Sequence, residues 1–567
     1  MLLELGLMSC IGFATSEIYK LITESKKDNC VDMDLKSKKA LYEEYPMIYS
    51  NEDEQGVQIA TNYYIQNNKK FKDAMYLNSM IIGSPGSWKS TIGIYPNLLN
   101  KNLRGTIVVN DPKGEFYENT AFIQRSFGRK VKRISFDNIQ DKINVLRELD
   151  DEEDVFEFAK NIMINGLTIN SSLSEDSTTW INLSASLLTA ILLYVKTYKP
   201  KDRSKKTDNI SEALLLIQLM QDEFELENML KENQVAYKYY LSFKAGGTRT
   251  QAKNNILLNI NSALAIYLSS TIREVTSETT FDLNDIRNNE YAIYISADKI
   301  GSKKISPVIA PIIQLILNKS IELANNKNAL DVHFFLDEFG NMGKITGLEQ
   351  YLTMMRAYRI NIYFVLQSFN QLNNSYTESE ISAIMSGIAH VLFLNNNREQ
   401  STVSKLLEMS STRKQEVVEK EVDSEGNLLK IKTKTIDVKT ISEGEASCIK
   451  QGEGILISGA QDVLKIKFNR WFEEGRFLKY KKDIEAKIMK SSIKTTKFKT
   501  DHQVESIVLN EYRDKVNKSK IIPIPKNNIT SEAAVTREDI TIANDKQKEE
   551  IYKITMCYKK FMEQNFN

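Results

Sequence analysis

Residues 75–99 read MYLNSMIIGSPGSWKSTIGIYPNLL. A short apolar run ends at Gly83, a small-residue loop follows, and Lys89-Ser90 opens a helix-like segment. Strand, glycine-bearing loop and Lys-Ser at a helix start is the arrangement that turns backbone N–H groups toward phosphate oxygens. In it Gly83, Gly86, Ser87 and Thr91 form the cradle. Lys89 reaches the β- and γ-phosphates, and the Ser90 hydroxyl serves Mg²⁺. The pattern asks for glycine where Trp88 stands, because the backbone must bend tightly there without a Cβ.

The partner of this loop lies about 250 residues on, in DVHFFLDEFGNMGKI (331–345). Four apolar residues run into Asp337-Glu338 at a strand's carboxyl end, the edge where a parallel sheet collects its ligands. Asp337 is expected to hold Mg²⁺ through water, and Glu338 to polarise the water for in-line attack. The next strand, INIYFVLQS (360–368), ends in Gln367, which either senses the γ-phosphate or caps its strand. Between the two, TMMRAYRI offers Arg356 and Arg359. They read equally as compensation of a helix C-terminus and as an arginine finger for a neighbouring subunit's nucleotide.

Working outward, RGTIVVND, RKVKRISF, EYAIYISAD, AHVLFLNN, GEGILISGA and VLKIKFNRWF supply further short, β-branched runs. Buried parallel strands read in this way. Residues 150–290 break the pattern with helical spacing, as in WINLSASLLTAILLYV and SEALLLIQLM. The reading is an α/β fold: a parallel sheet over 71–149 and 291–480, interrupted by an all-α domain at 150–290. EVVEKEVDSEGNLLKIKTKTIDV alternates around Ser-Glu-Gly and predicts a projecting hairpin at about 412–440. From 481 to 567 the chain is polar and Lys-rich, which predicts a loosely attached tail. Within the helical region KAGGTRTQAKNN (244–255) is basic and glycine-bearing, either an interhelical turn or a DNA-contacting loop.

Composition removes several classes. The chain has 567 residues, with 75 Lys+Arg against 74 Asp+Glu, so any nucleic-acid contact must come from local patches. Four scattered cysteines and three histidines give neither a disulfide framework nor a zinc site. The first apolar stretch, MLLELGLMSCIGFAT, is shorter than a membrane span and carries Glu4. Residues 1–70 are therefore expected to form a separate segment with an amphipathic or membrane-associated helix, and the chain to contain no clear transmembrane helix.

The order of these motifs resembles the type IV secretion coupling proteins, the TraG-like ATPases of conjugation. The resemblance is carried by GSPGSWKSTIGIYPNLL, VVNDPKGEFYENTA, FFLDEFGNMGKITGLEQYLTMMRAYRINIYFVLQS and AHVLFLNNNREQSTVSKLLE, and runs from about Met75 to Phe472. It implies a RecA-like P-loop domain with the all-α domain inserted, and ATP and Mg²⁺ as cofactors. Lys89 and Ser90 then bind phosphate and metal, Asp337 and Glu338 serve metal and water, and Gln367 contacts the nucleotide. Arg356 falls at the finger position for the adjacent subunit, and Asp111 of DPKGE lies near the nucleotide.

The resemblance further implies a homo-hexamer, monomeric in isolation, at the cytoplasmic face of the membrane. There it would pass a relaxase-bound single strand, or a protein substrate, to the channel ATPases and membrane proteins of a type IV secretion system. Two other functions fit the same residues. Trp88 in the loop suggests a non-hydrolysing receptor scaffold, and the motor core alone also suits a DNA pump for chromosome movement.

Overall fold

The computed structural model describes residues 30–32, 57–61, 63–65 and 76–519, apart from 168–174, 204, 220–221, 247–249, 298–303, 327, 397, 423–427, 460–462 and 491–505. Most of the expected N-terminal segment, and the chain after 519, fall outside these residues. The described residues up to Tyr512 form one compact unit.

Fourteen strands are described: β1 (Cys30–Asp32), β2 (Val57–Ala60), β3 (Tyr63–Ile65), β4 (Asn78–Ile82), β5 (Thr106–Asp111), β6 (Lys130–Ser135), β7 (Tyr291–Ser296), β8 (Val332–Leu336), β9 (Ile360–Leu366), β10 (Ile388–Phe393), β11 (Thr412–Val422), β12 (Leu428–Lys439), β13 (Glu453–Ser458) and β14 (Val463–Lys467). Ten of them make one sheet in the order β1-β14-β13-β10-β4-β9-β8-β5-β7-β6. From β10 to β6 every pairing is parallel, and β13 runs against both its neighbours.

Strands β4, β5, β7, β8 and β9 are buried along their whole length. Helices cover both faces of such a sheet, so the strands carry apolar runs and no alternation. Two of the polar exceptions meet across neighbouring strands. His333 Nδ1 lies 2.5 Å from Asn361 Oδ1 on the neighbouring strand, and its other ring nitrogen 3.0 Å from the Arg104 carbonyl. Burial holds the His333 imidazole neutral.

Between β6 and β7 the chain is helical, chiefly Glu152–Leu167, Glu175–Thr197, Ile210–Leu219, Gln234–Gly246 and Thr250–Leu264. The basic stretch at 244–255 bridges the last two of these. Among the described residues two helices, Thr179–Thr197 and Ser306–Asn325, are long and apolar enough to cross a membrane, where the sequence reading expects no clear span. Here they are core: Leu188, Leu192, Val195, Ile309, Ile312 and Ile316 are all buried. β11 and β12 pair only with each other, as a long two-stranded ribbon.

Two features depart from the sequence reading. β2 and β3 form a hairpin against the helical turns after Gly83, where Asn97 accepts from Gln58 N–H and donates to Gln58 C=O, both at 2.7 Å. The late chain is also not all loose. The carboxylate of Glu212 accepts from Ser506 Oγ at 2.6 Å and Val508 N at 2.9 Å, and Val508 and Leu509 are buried. Three apolar residues in a row, Ile507 to Leu509, provide the surface that docks.

Arg287 is among the largest fully buried side chains, and it pins the sheet's lower edge. Its guanidinium donates to the carbonyls of Leu330 (2.9 Å), Ser320 (2.6 Å) and Tyr358 (2.8 Å), just ahead of β8 and β9. Burial lowers its pKa to about 10. Replacing it strands three carbonyls at a cost of about 1–3 kcal/mol each. Arg287→Met is therefore expected to lose about 3 kcal/mol or more in urea unfolding; a loss below about 1 kcal/mol would show the carbonyls find other donors.

Candidate nucleotide site

β4, β9 and β8 lie side by side and end together, so the residues after each strand meet at one edge. The loop after β4 folds back on itself. Gly83 N donates to Leu366 O at 3.2 Å, Ser84 N to Asn395 O at 2.8 Å, and Ser87 N to Ser84 O at 3.1 Å. A Cβ on Gly83 would stand 2.5 Å from Ser87 Oγ and 2.8 Å from Leu394 Cβ, so only glycine fits. Gly86 has φ +81, open to solvent at the crest.

Trp88 adopts φ 71, the left-handed conformation that glycine normally supplies at this place. For a side-chain-bearing residue this costs about 1–2 kcal/mol. The indole turns away from the cradle and packs against the main hydrophobic core. A Cβ on Gly452 would stand 3.5 Å from its ring, and the Arg470 guanidinium lies 4.9 Å from its centroid. The loop thus has its bend despite the tryptophan. Ser90–Ile94 then winds as a π-helix before Tyr95–Leu98 turns α-helical, a widening common at functional sites.

Lys89 is folded into the loop, with Nζ donating to the carbonyls of Gly83 (2.6 Å) and Ser84 (2.9 Å). Burial lowers its pKa to about 8 against the pull of Asp337 and Glu338. Ser90 Oγ lies 3.5 Å from Asp337 Oδ2, and Gln367 Nε2 lies 3.5 Å from Glu338 Oε1. Burial, and then the charge of Glu338, raises Asp337 to about 6, partly offset by Lys89. Glu338 itself has φ 50, another left-handed residue where strain collects at a functional edge.

Lys89, Ser90, Asp337, Glu338 and Gln367 are thus brought together. Thr91 is partly exposed one residue further along the same turn. Asp111 is buried at the end of β5, and its Oδ2 accepts from Tyr117 N at 2.8 Å, in the first turn of the helix Glu115–Ser126. Arg356 is exposed on the turn that precedes β9. Seven residues of strand, roughly 20 Å at 3.3 Å each, separate it from Gln367 at the strand's other end. It is out of reach of its own chain's loop.

Asn110 was missed by the sequence reading. It is fully buried, its Nδ2 donates to the Asp337 carbonyl at 2.7 Å, and its Oδ1 meets no partner among the described residues. The available signal was an amide closing the otherwise apolar strand TIVVN.

The donor set suits Mg²⁺ and phosphate. Ser90 and Asp337 offer hard oxygen ligands, and Ser87 Oγ is buried in the cradle with no hydrogen-bond partner among the described residues. Among the described residues no group of three His, Cys, Asp or Glu side chains could hold a metal alone. A cation here would be shared with the phosphates, as Mg²⁺ commonly is.

A phosphate loop after one parallel strand, facing an acidic pair two strands away, defines an α/β P-loop fold of the RecA-like kind. The chain belongs to the family described as type IV secretory system conjugative DNA transfer, whose pattern matches residues 28–505. It is similar to the protein VirD4 of Rhizobium rhizogenes, 21% identical over 331 residues, which is 56% of this chain and 47% of the relative. VirD4 of Agrobacterium fabrum is 20% identical over 329 residues, again 56% and 47%. The chain spans about half the length of the curated relatives it matches. Among solved structures it resembles the plasmid coupling protein TrwB in complex with ADP and Mg²⁺, at 15% identity and TM-score 0.55, covering 78% of this chain and 93% of that one. TrwB with a non-hydrolysable ATP analogue gives 14%, 0.53, 78% and 93%.

The two shifted groups set a pH window for ligand binding. Metal binding must displace the Asp337 proton below about pH 6, and Lys89 of the empty site loses its charge above about pH 8. Mg·ADP affinity is therefore expected to peak between these values and to fall by up to about tenfold per pH unit on each side. In Asp337→Asn the acid fall should shrink to the nucleotide's own titration. A native profile flat from pH 5 to 9.5 would contradict the site.

Proposed function

We propose that this chain is an ATP-driven coupling protein of conjugative transfer. It recruits relaxase-bound single-stranded DNA, or a protein substrate, to a type IV secretion channel at the cytoplasmic face of the membrane, and it works as a homo-hexamer. The observation that carries the reading is the meeting of Lys89 and Ser90 with Asp337 and Glu338 across β9. Family membership and the fold shared with TrwB support it.

Bound Mg²⁺ would neutralise charge on the β- and γ-phosphate oxygens. The chain's own residues do the rest. Lys89 leaves the carbonyls of Gly83 and Ser84 for the phosphates, while Gly86, Ser87 and the loop amides surround them. Ser90 and Asp337 would hold the cation. Glu338 accepts a hydrogen bond from the attacking water, and Gln367 beside it orients that water or reads the γ-phosphate. Arg356, out of reach of its own site, is placed to reach the nucleotide of a neighbouring subunit. The helices between β6 and β7 form the domain that meets the transferred substrate.

The scaffold reading rests on Trp88. The left-handed φ of that residue and the outward indole favour the motor instead. A DNA pump for chromosome movement shares the same core, and would move long duplex DNA without a relaxase.

Lys89→Ala and Glu338→Gln are each expected to lower DNA-stimulated ATP hydrolysis at least 100-fold. Glu338→Gln should keep nucleotide affinity within a few-fold, and both should abolish conjugative transfer. Transfer at the native frequency with either variant would refute the motor.

A further inference from the structure

The segment after Glu338 is bound to the helices by side-chain amides. Asn165, on the helix Glu152–Leu167, accepts from Lys344 N at 2.6 Å and donates to Lys344 O at 3.0 Å. Gln314, on Ser306–Glu322, does the same for Thr346, accepting from its N–H at 3.3 Å and donating to its carbonyl at 3.4 Å. Between these two contacts Ile345 N donates to Tyr376 Oη at 3.1 Å. Two amides and a phenol thus occupy the hydrogen-bonding groups of an extended segment, in the way that neighbouring strands would.

The amides are joined to each other. Asn161, one turn before Asn165, donates to Gln314 Oε1 and accepts from Asn165 Nδ2 at 2.7 Å. Asn161 and Asn165 are both buried. Gly343, at φ +95, leaves the space this requires, since a Cβ would stand 2.5 Å from Asn165 Oδ1 and 2.8 Å from Ser306 Cβ.

This bound segment is continuous with the strained turn that holds Glu338. Asn341 N donates to Glu338 O at 2.8 Å, and Phe339 is fully buried, its ring stacked on Tyr376 at 5.9 Å between centroids. Tyr376 therefore contacts the turn with its ring and the bound segment with its hydroxyl.

We infer that Asn165, Asn161 and Gln314 are positioning residues for hydrolysis, fixing the Glu338 turn to the helix Glu152–Leu167 so that displacement of that helix displaces the carboxylate. The inference rests on the reading of Glu338 as the group that orients the attacking water. It goes beyond that reading by assigning the turn's placement to helices outside the nucleotide site.

Two measurements on the full chain test it. In the nucleotide-free protein, Asn165→Ala is expected to raise amide hydrogen exchange of residues 337–342 about tenfold, while β4, β9 and the loop 83–91 exchange as in the native chain. Asn161→Ala, which touches none of the backbone in the turn, should give the same pattern more weakly, and it covers the case in which Asn165→Ala fails to fold. In hydrolysis, both variants should lose kcat, Asn165→Ala by tenfold or more, with KM and Mg·ADP affinity within about twofold. Exchange at 337–342 unchanged in a folded variant overturns the inference. So does raised exchange with native kcat. A native chain that hydrolyses no ATP sinks the motor reading alone, and the exchange result then still decides whether the helix holds the turn.

Discussion

The parallel register of β4, β9 and β8 is the constraint on which the site depends. The chain places Lys89 and Asp337 almost 250 residues apart, and only the common end point of three adjacent strands brings Ser90 Oγ within 3.5 Å of Asp337 Oδ2. Burial then sharpens the chemistry: it destabilises a lone ammonium and a lone carboxylate alike, lowering one pKa and raising the other. In the empty site the loop carbonyls and the acidic pair keep Lys89 charged. An incoming phosphate offers it a better partner, so the cation is already in place and has only to exchange ligands.

Around that edge the molecule spends side-chain amides on backbone. Asn97 holds β2, Asn110 holds Asp337, and Asn165 and Gln314 hold the segment after Glu338. Each replaces a missing strand neighbour where irregular chain is buried, because a buried N–H or C=O without a partner is costly. The irregular pieces of the site are thereby as firmly fixed as the strands that carry them. The left-handed Glu338 is an example: its strain persists because Asn110 on one side and the Phe339 pocket on the other over-determine it.

Much of this was legible in the sequence, for definite reasons. Nine of the ten strands in the large sheet read as short, β-branched runs, and β4, β5, β7, β8 and β9 are the most apolar because both faces of the parallel part are covered. Lys89, Ser90, Asp337, Glu338 and Gln367 were legible because each closes or follows such a run. β1 was not, being three residues long. VQIA of β2 has Gln58 in its middle, and that residue is buried only because Asn97 pairs with its backbone, a contact 39 positions away. Asn110, Asn161 and Asn165 stayed unmarked for the same reason. An asparagine's role is set by what stands opposite it, and local spacing carries no trace of that. Asp111 carries a second task that the sequence did not mark: one carboxylate oxygen accepts from Tyr117 N and ties β5 to the next helix.

Trp88 concentrates what is at stake, since its residue type argues against a phosphate cradle and its backbone supplies one. Titration of the native chain and of Trp88→Gly with Mg·ADP, side by side, is the most direct measurement. The account predicts that both bind, with affinities within about threefold, because the bend is already made and the indole lies against the hydrophobic core and the Arg470 guanidinium. Binding by Trp88→Gly alone would contradict it, and would leave the native chain a scaffold with a motor's fold.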